Sequence, residues 1–500
     1  MDPVPRPNAA PAEPFTASIA RFGLYLVVAV APLFFGGNRD WIWTPLAVLT
    51  ALSLAALAVA QLSRAWPARP GPWPVPVALM AVVCLWCLVQ TIPWPGGGGL
   101  ANPLYEAAGR GLGTGVAARV SIDAELTFVA LLRLLTYVGV FWLAVWCCRS
   151  ERDARRLVTV VVAAATIYSL YGLLNHLHNG TLYVLWERFR DPRDYLRLSA
   201  TFPNANHFAT YGGLALVAAL ALFAEPLRRA VASREGGLEK IRAAIPAAME
   251  ARQLVLATAI VVLGTAVALT NSRAGLAAVL AGLFCVFAGY VFAGARPLVR
   301  GFFALAGLAA AVWLVATVSQ TTFLQDRVAD VANNPDLLRH QLDARTRLYQ
   351  AALEALATRP LAGWGLGTFV WVFPLVQPEG YGLMQDHAHN TPLEAAIDLG
   401  LPAAAALLLA ILATLVVVVQ AAGTTPDRRK FRWLALAASV LVGLHSLFDF
   451  SLQIPGIAIT WAALLGACAS GWHRIDRDAH ERESAVGRRR LRRPTSGEPA

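Results

Sequence analysis

Apolar stretches of about 20 residues recur along this chain, at 18–35, 41–62, 73–93, 126–148, 157–175, 207–224, 253–270, 274–294, 302–319, 395–420, 433–449 and 454–471. Each is near the ~20 residues that cross ~30 Å of hydrocarbon as a helix. Composition agrees, since a chain that is 57% hydrophobic and 15% charged, with mean hydropathy +0.53, is unlike soluble domains. The expectation is an all-α polytopic membrane protein, a bundle of about 12 transmembrane helices. No small-residue cleavage site follows the first run, so it is read as a retained helix and not a signal peptide. The narrowest boundary falls at Arg273, where two runs are separated by almost nothing.

The net charge of +11 invites a nucleic-acid reading, but the excess sits in short clusters between the apolar runs, where membrane topology places it. Arg64 and Arg69, then Arg149 to Arg156, Arg228 to Arg242, Arg296 and Arg300, and Arg428 to Arg432 occupy alternate loops. Short basic loops mark the cytoplasm, which puts both termini there. Residues 1–17 read as a disordered cytoplasmic N-terminus, 18–319 as nine spans, 395–472 as the last three, and 473–500 as a basic, disordered tail against anionic lipid. All six cysteines lie in or beside apolar runs. Cys84-x-x-Cys87 has no second pair, so the group reads as packing residues and not as zinc or redox ligands.

The opposite face carries three longer segments, 94–125, 176–206 and 320–394. The third is large enough for helices of its own. Over 344–358 the apolar positions Leu348, Ala351, Ala352 and Ala355 have helical spacing. Pro360 ends that helix, and Gly363-Trp364-Gly365-Leu366-Gly367 reads as a flexible turn. The segment closes on Asp386-His387-Ala388-His389-Asn390-Thr391-Pro392-Leu393-Glu394, a polar cluster at the foot of the run at 395–420. Neither an internal repeat nor a soluble enzyme domain is found.

Several residues on this face ask for a chemical reason. Arginines there run against the positive-inside trend. Arg273 lies in a polar knot between two runs, where a guanidinium either snorkels to headgroups or holds an anion such as phosphate. Arg197 opens a segment containing Asn204 and Asn206, whose bland reading is turn and cap residues, and Arg345 starts the loop helix. His387 and His389, with Asp386, form an H-x-H that could ligate a metal. No H-E-x-x-H or H-x-x-E-H pattern accompanies it, and a general base oriented by Asp386 or Glu394 is the favoured reading. His445 and Asp449 end another run on the same face, as a helix-terminal pair or as part of the same pocket.

These pieces resemble the O-antigen ligase and polymerase superfamily of bacterial envelope glycosyltransferases. The resemblance is carried by Arg197 to Asn206 (R-x-x-x-T-F-x-N-x-N), Asn271-Ser272-Arg273-Ala274-Gly275, Arg345 to Tyr349, and Pro360 to Phe369. It continues through His389-Asn390 with Leu393-Glu394 and Gly400, and His445 to Asp449, in order over roughly 190–450. Proline stands at 203 and 402 where glycine is common in the family. The resemblance implies a GT-C-type helical fold in a bacterial inner membrane, with 320–394 as a large periplasmic catalytic loop. It implies an undecaprenyl diphosphate-linked glycan as donor, lipid A core or another glycan as acceptor, and neither metal nor cofactor. His389 matches the base, while Arg197, Arg273 and Arg345 match diphosphate-binding positions. Asn206, Asp386, His387, Asn390, Glu394, His445 and Asp449 are supporting candidates. A polymerase acting on a second lipid-linked glycan is the rival within the family. A lipid-linked oligosaccharide transporter is the rival outside it, weakened because Arg133 is the clearest charge within the runs.

Overall fold

A computed structural model of the chain describes residues 14–63, 72–94, 99–178, 197–232, 237–291, 335–382, 384–422 and 429–471. Among the described residues the regular structure is entirely helical. The first half contains α1 (Phe15–Val30), α2 (Asp40–Leu62), α3 (Pro74–Thr91), α4 (Leu104–Leu112), α5 (Ala124–Cys147) and α6 (Glu151–Leu177). Then come α7 (Ala205–Ala232), α8 (Gly237–Met249), α9 (Ala251–Ala268) and α10 (Arg273–Val291). The last stretch holds α11 (Pro335–Thr358), α12 (Phe369–Val376), α13 (Thr391–Leu399), α14 (Leu401–Ala422), α15 (Arg429–Ser446) and α16 (Pro455–Cys468).

Seven of these helices are long and apolar enough to cross a membrane: α2, α3, α5, α6, α7 over 205–227, α9 and α14. Helices α1, α16 and residues 273–289 of α10 are apolar but shorter. The chain is therefore a multi-pass helical membrane protein. Of the expected dozen spans, the one at 302–319 lies outside the described residues, as do most of 1–17 and all of 473–500.

The bundle is organised around α7, which packs against α6, α9, α10, α15 and α16. Residues Leu214 to Ala219 are all buried, so every face of the helix meets protein rather than lipid. Small residues permit this approach. A Cβ on Gly213 would lie 2.3 Å from the Val279 side chain of α10, closer than packed carbons allow. Helix starts follow local chemistry: Ser150 and Asp153 form a reciprocal capping box at α6, and the Asp123 carboxylate accepts the Leu126 N–H at α5.

The loop helix expected over 344–358 is the second half of α11. It ends at Thr358, and Leu348, Ala351, Ala352 and Ala355 form its buried face. Two expectations are corrected. The apolar run at 395–420 is not one helix, because Gly400 takes a left-handed backbone (φ 78°) and separates α13 from α14. A Cβ there would meet the Leu361 carbonyl oxygen at 2.2 Å, so the break is built on glycine. Pro402 then falls in the first turn of α14, where its missing N–H costs nothing.

The glycine-rich turn after Pro360 is fixed rather than flexible. The Trp364 and Gly365 N–H groups donate to the carbonyls of Ile397 and Asp398, and the Gly367 N–H donates to the Asp398 carboxylate at 2.7 Å. Arg359 holds the same turn to the segment before α5, donating to the carbonyls of Gly363, Leu100, Ala101 and Val120. Burial draws its pKa down, but a guanidinium starts high enough to stay charged. From α3, Gln90 adds hydrogen bonds to the Ala362 and Asp398 carbonyls.

Candidate functional site

The site is built from the connections at one end of the bundle: the segment 197–204, the turn 269–272, the approach to α13, and the turn after α15. Leu198 donates its N–H to Leu269 O, which sets the first two side by side. The Arg197 Nε donates to Thr270 O at 2.9 Å and its Nη2 to the Asn206 side-chain oxygen at 2.7 Å. Asn206 thus orients a guanidinium, and the Asn204 side chain accepts the Asn206 N–H at 2.8 Å. Arg273 is exposed at the first position of α10, three residues from the carbonyl that Arg197 grips. Ser272 caps that helix by accepting the Gly275 N–H at 3.1 Å. The segments carrying the two arginines, 76 residues apart in sequence, share one turn. At the N-terminus of α10 the helix dipole also favours an anion.

A second group surrounds Asp449. Asn390 caps α13 by accepting the Leu393 N–H, while its Nδ2 donates to Leu447 O at 3.1 Å. The Thr391 hydroxyl donates to Asp449 O, also at 3.1 Å. These two contacts clamp the foot of α13 to the end of α15. They bring His389 Nδ1 to 3.5 Å from Asp449 Oδ1. That is long for a hydrogen bond, as acid–base contacts often are before substrate binds. A carboxylate only accepts, so a proton on Nδ1 would face Asp449 and leave Nε2 as the ring's accepting nitrogen.

The other supporting candidates separate. Glu394 does not orient His389. Its carboxylate is buried, taking His387 Nδ1 at 2.8 Å and the Ala388 N–H at 2.7 Å. The side chain of a residue in a helix's first turn leans back toward the N-terminus, which is why the seven-residue spacing works. Burial alone would lower the His387 pKa, but the charge and hydrogen bond of Glu394 outweigh it and the net shift is upward. Asp386 is exposed and makes no hydrogen bond to either histidine, so the carboxylate that faces His389 is that of Asp449. His445 Nδ1 is held between the hydroxyls of Thr210 and Ser451 at 2.7 and 2.8 Å.

Arg345 is exposed on α11, four residues and one turn before Tyr349, whose hydroxyl donates to His389 O at 3.3 Å. That spacing puts Arg345 on the helix face that turns toward the histidine. The two groups join through consecutive residues of α7. Asn206 binds Arg197, and His207 Nε2 lies 3.6 Å from Asp449 Oδ1. Sequence reasoning gave His207, Phe450 and Tyr349 no role of their own, although His207 follows the asparagine pair directly and Phe450 follows Asp449.

Local strain coincides with the site. Among the described residues, Phe35, Ala200, Asn271 and His389 are the non-glycine residues with positive φ. Three of the four belong to the segments above. The fourth is in a loop whose neighbour Gly36 would, with a Cβ, come within 2.4 Å of Phe202. Such conformations cost of order 1–3 kcal/mol each and persist where the surroundings enforce them. No three His, Cys, Asp or Glu side chains among the described residues converge as a metal would require.

Fold and site together give a helical membrane protein in which a histidine faces a buried carboxylate beside an arginine-bearing turn. Residues 258–408 match the family model described as O-antigen ligase, so the resemblance seen in the sequence holds over α9 to the start of α14. Over that stretch the chain is similar to the O-antigen ligase family, whose members act in glycan transfer. The matched stretch includes Arg273, Arg345, His389 and Glu394, whereas Arg197, Asn206 and Asp449 lie outside it. No curated protein matches the chain.

Proposed function

We infer that this protein is a glycosyltransferase of the O-antigen ligase type. It moves a glycan from undecaprenyl diphosphate to an acceptor hydroxyl, on lipid A core or a similar glycan, at the periplasmic face of a bacterial inner membrane. The observation that carries the reading is the placing of His389 against Asp449, joined through α7 to the Arg197–Arg273 turn. His389 Nε2 takes the acceptor hydroxyl proton as that oxygen bonds to the anomeric carbon. The bond from that carbon to the diphosphate breaks, and its electron pair leaves on the phosphate oxygen. Asp449 stabilises the imidazolium that forms. Arg197 and Arg273 meet the charge growing on the diphosphate, with Arg345 approaching from α11. Direct displacement inverts the anomeric centre. In this scheme no step passes through a metal.

The test is transfer from a purified lipid-diphosphate donor. His389→Ala is expected to abolish transfer while donor binding survives, and chelators are expected to leave the wild type active. Activity lost to chelator and restored by zinc would replace the base with a metal site. A polymerase differs only in taking a second lipid-linked glycan as acceptor, and the same assay with both acceptors separates the two. Orientation is checked by cysteines at Glu379, which is exposed, and Gln385, expected to react with an impermeant thiol reagent from outside, whereas Thr368 in the same segment is buried and unsuited to the test. Labelling of a cysteine at Ser233 instead would invert the topology, which rests on the one-sided basic loops.

A further inference from the structure

Behind Asp449 stands a second imidazole that the scheme above leaves without a task. His207 is sealed in the protein, its side chain 3% exposed, and cannot touch a substrate. Neither of its ring nitrogens has a formed hydrogen bond, and neither does Asp449 Oδ2 or His445 Nε2. Buried polar atoms left unpaired cost about 1–3 kcal/mol each, so this cluster is not arranged for stability. Its geometry converges on one atom. Asp449 Oδ1 lies 3.6 Å from His207 Nε2 and 3.5 Å from His389 Nδ1, and it accepts the Phe450 N–H at 2.8 Å.

The Phe450 ring fixes the planes of these imidazoles. His207 and His389 meet it edge-on, with centroids at 4.6 and 5.0 Å, and His387 stacks on it at 4.0 Å. Rotation of either edge-on ring about its Cβ–Cγ bond would lose that contact. A carboxylate with one oxygen between two such rings has one favoured rotamer, the one that faces both.

The geometry points to His207 as a positioning residue: its Nε2–H holds the Asp449 carboxylate in the rotamer that faces His389. This inference rests on the reading of His389 as the base. Asp449 aligns the His389 proton on Nδ1, and His207 prevents the carboxylate from swinging away between turnovers. The competing view is that His207 merely fills space against Phe450. The two views part when the nitrogen is removed and the volume is kept.

The experiment compares His207→Gln, which keeps an N–H donor near the Nε2 position, with His207→Leu, which keeps bulk alone. Loss of an orienting partner behind a working imidazole costs roughly 10- to 100-fold elsewhere. His207→Leu is expected to lower kcat by that factor with an unchanged KM for the donor, and His207→Gln to stay within a few fold of wild type. A readout independent of turnover is the rate at which diethyl pyrocarbonate modifies His389, followed by mass spectrometry. It is expected to fall in the Leu variant and to be kept in the Gln variant. If leucine prevents expression, His207→Phe supplies a planar side chain of similar shape without the donor. Wild-type kcat and His389 reactivity in the Leu or Phe variant would overturn the inference, as would equal losses in Gln and Leu. Transfer that survives His389→Ala would bring down the base reading instead, whatever His207 does.

Discussion

The two ends of the bundle treat buried charge in opposite ways. At the basic end, Lys430 is 1% exposed and its ammonium is bonded to Glu151. Glu151 also takes Arg155 at 2.8 Å and has Arg229 at 3.9 Å, while Arg229 donates to the buried Glu225 at 2.9 Å. Each charge there has an opposite partner, and the cluster ties α6, α7 and α15 together. At the other end, Asp449 keeps an unbonded oxygen, and the imidazoles around it hold unbonded nitrogens. The first arrangement is what a fold needs, since a buried ion is tolerated only when paired. The second keeps a carboxylate and imidazoles buried with polar atoms unpaired, a cost that packing alone does not call for.

The largest effect expected from this contrast is at Asp449. Asp449→Asn should reduce transfer about 1,000- to 10,000-fold, by comparison with the loss of the orienting carboxylate in a Ser-His-Asp triad. The apparent Tm should change little, because the amide keeps the side chain's shape and an oxygen for the Phe450 N–H. A drop in Tm with activity retained would make this end structural too. Next comes Arg273. Its replacement by alanine should cost about 100- to 1,000-fold with any acceptor, and Arg273→Lys less, since charge survives but the paired donors do not. Wild-type turnover in Arg273→Ala protein would leave it a headgroup contact.

Lys430→Met should do the reverse at the basic end. It should lower stability by about 1–3 kcal/mol, below the usual cost of breaking a buried pair because Glu151 keeps Arg155. Turnover per folded molecule should be unchanged, and lost turnover at equal Tm would erase the contrast. The smallest effect concerns His387. Its folded pKa is raised by Glu394, so the pair's contribution is complete below the ordinary histidine value of ~6.5. That contribution is lost as pH rises through the raised value. The Tm advantage of wild type over His387→Gln should therefore shrink on going from pH 6 to pH 9, by about 1 kcal/mol or less. An advantage that grows with pH would show that the pair is not ionic.

Much of this was legible in the sequence because hydrophobic length and charge position are local signals. The helices beneath most of the expected spans and the buried face of α11 follow from them, whereas the ordered set of site segments rested on the family resemblance. What was not legible depends on close approach. The break at Gly400 is hidden in an unbroken apolar run, since it arises from the Leu361 carbonyl packing on the glycine. The exchange of partners among Asp386, Glu394 and Asp449 was hidden for a related reason. Proximity in sequence favoured the first two for His389, whereas the capping geometry of α13 turns Glu394 onto His387 and brings Asp449 from 60 residues away. His207 gave no signal of its own, because a lone histidine opening an apolar helix usually belongs to the core.

The clamp between α13 and the end of α15 bears on how the protein is made. The arginine-bearing segments and His389 are all synthesised before the turn that carries Asp449 and Phe450. Until that turn enters, Asn390 and Thr391 lack the carbonyls they bind, and the imidazole of His389 has neither its carboxylate nor its ring contact. A nascent chain halted anywhere before residue 447 therefore holds Arg197, Arg273 and His389 without the carboxylate that faces the imidazole. On the proposed function, the chemistry would be withheld until α15 and α16 have taken their places, so that an incompletely inserted molecule would leave its donor unspent.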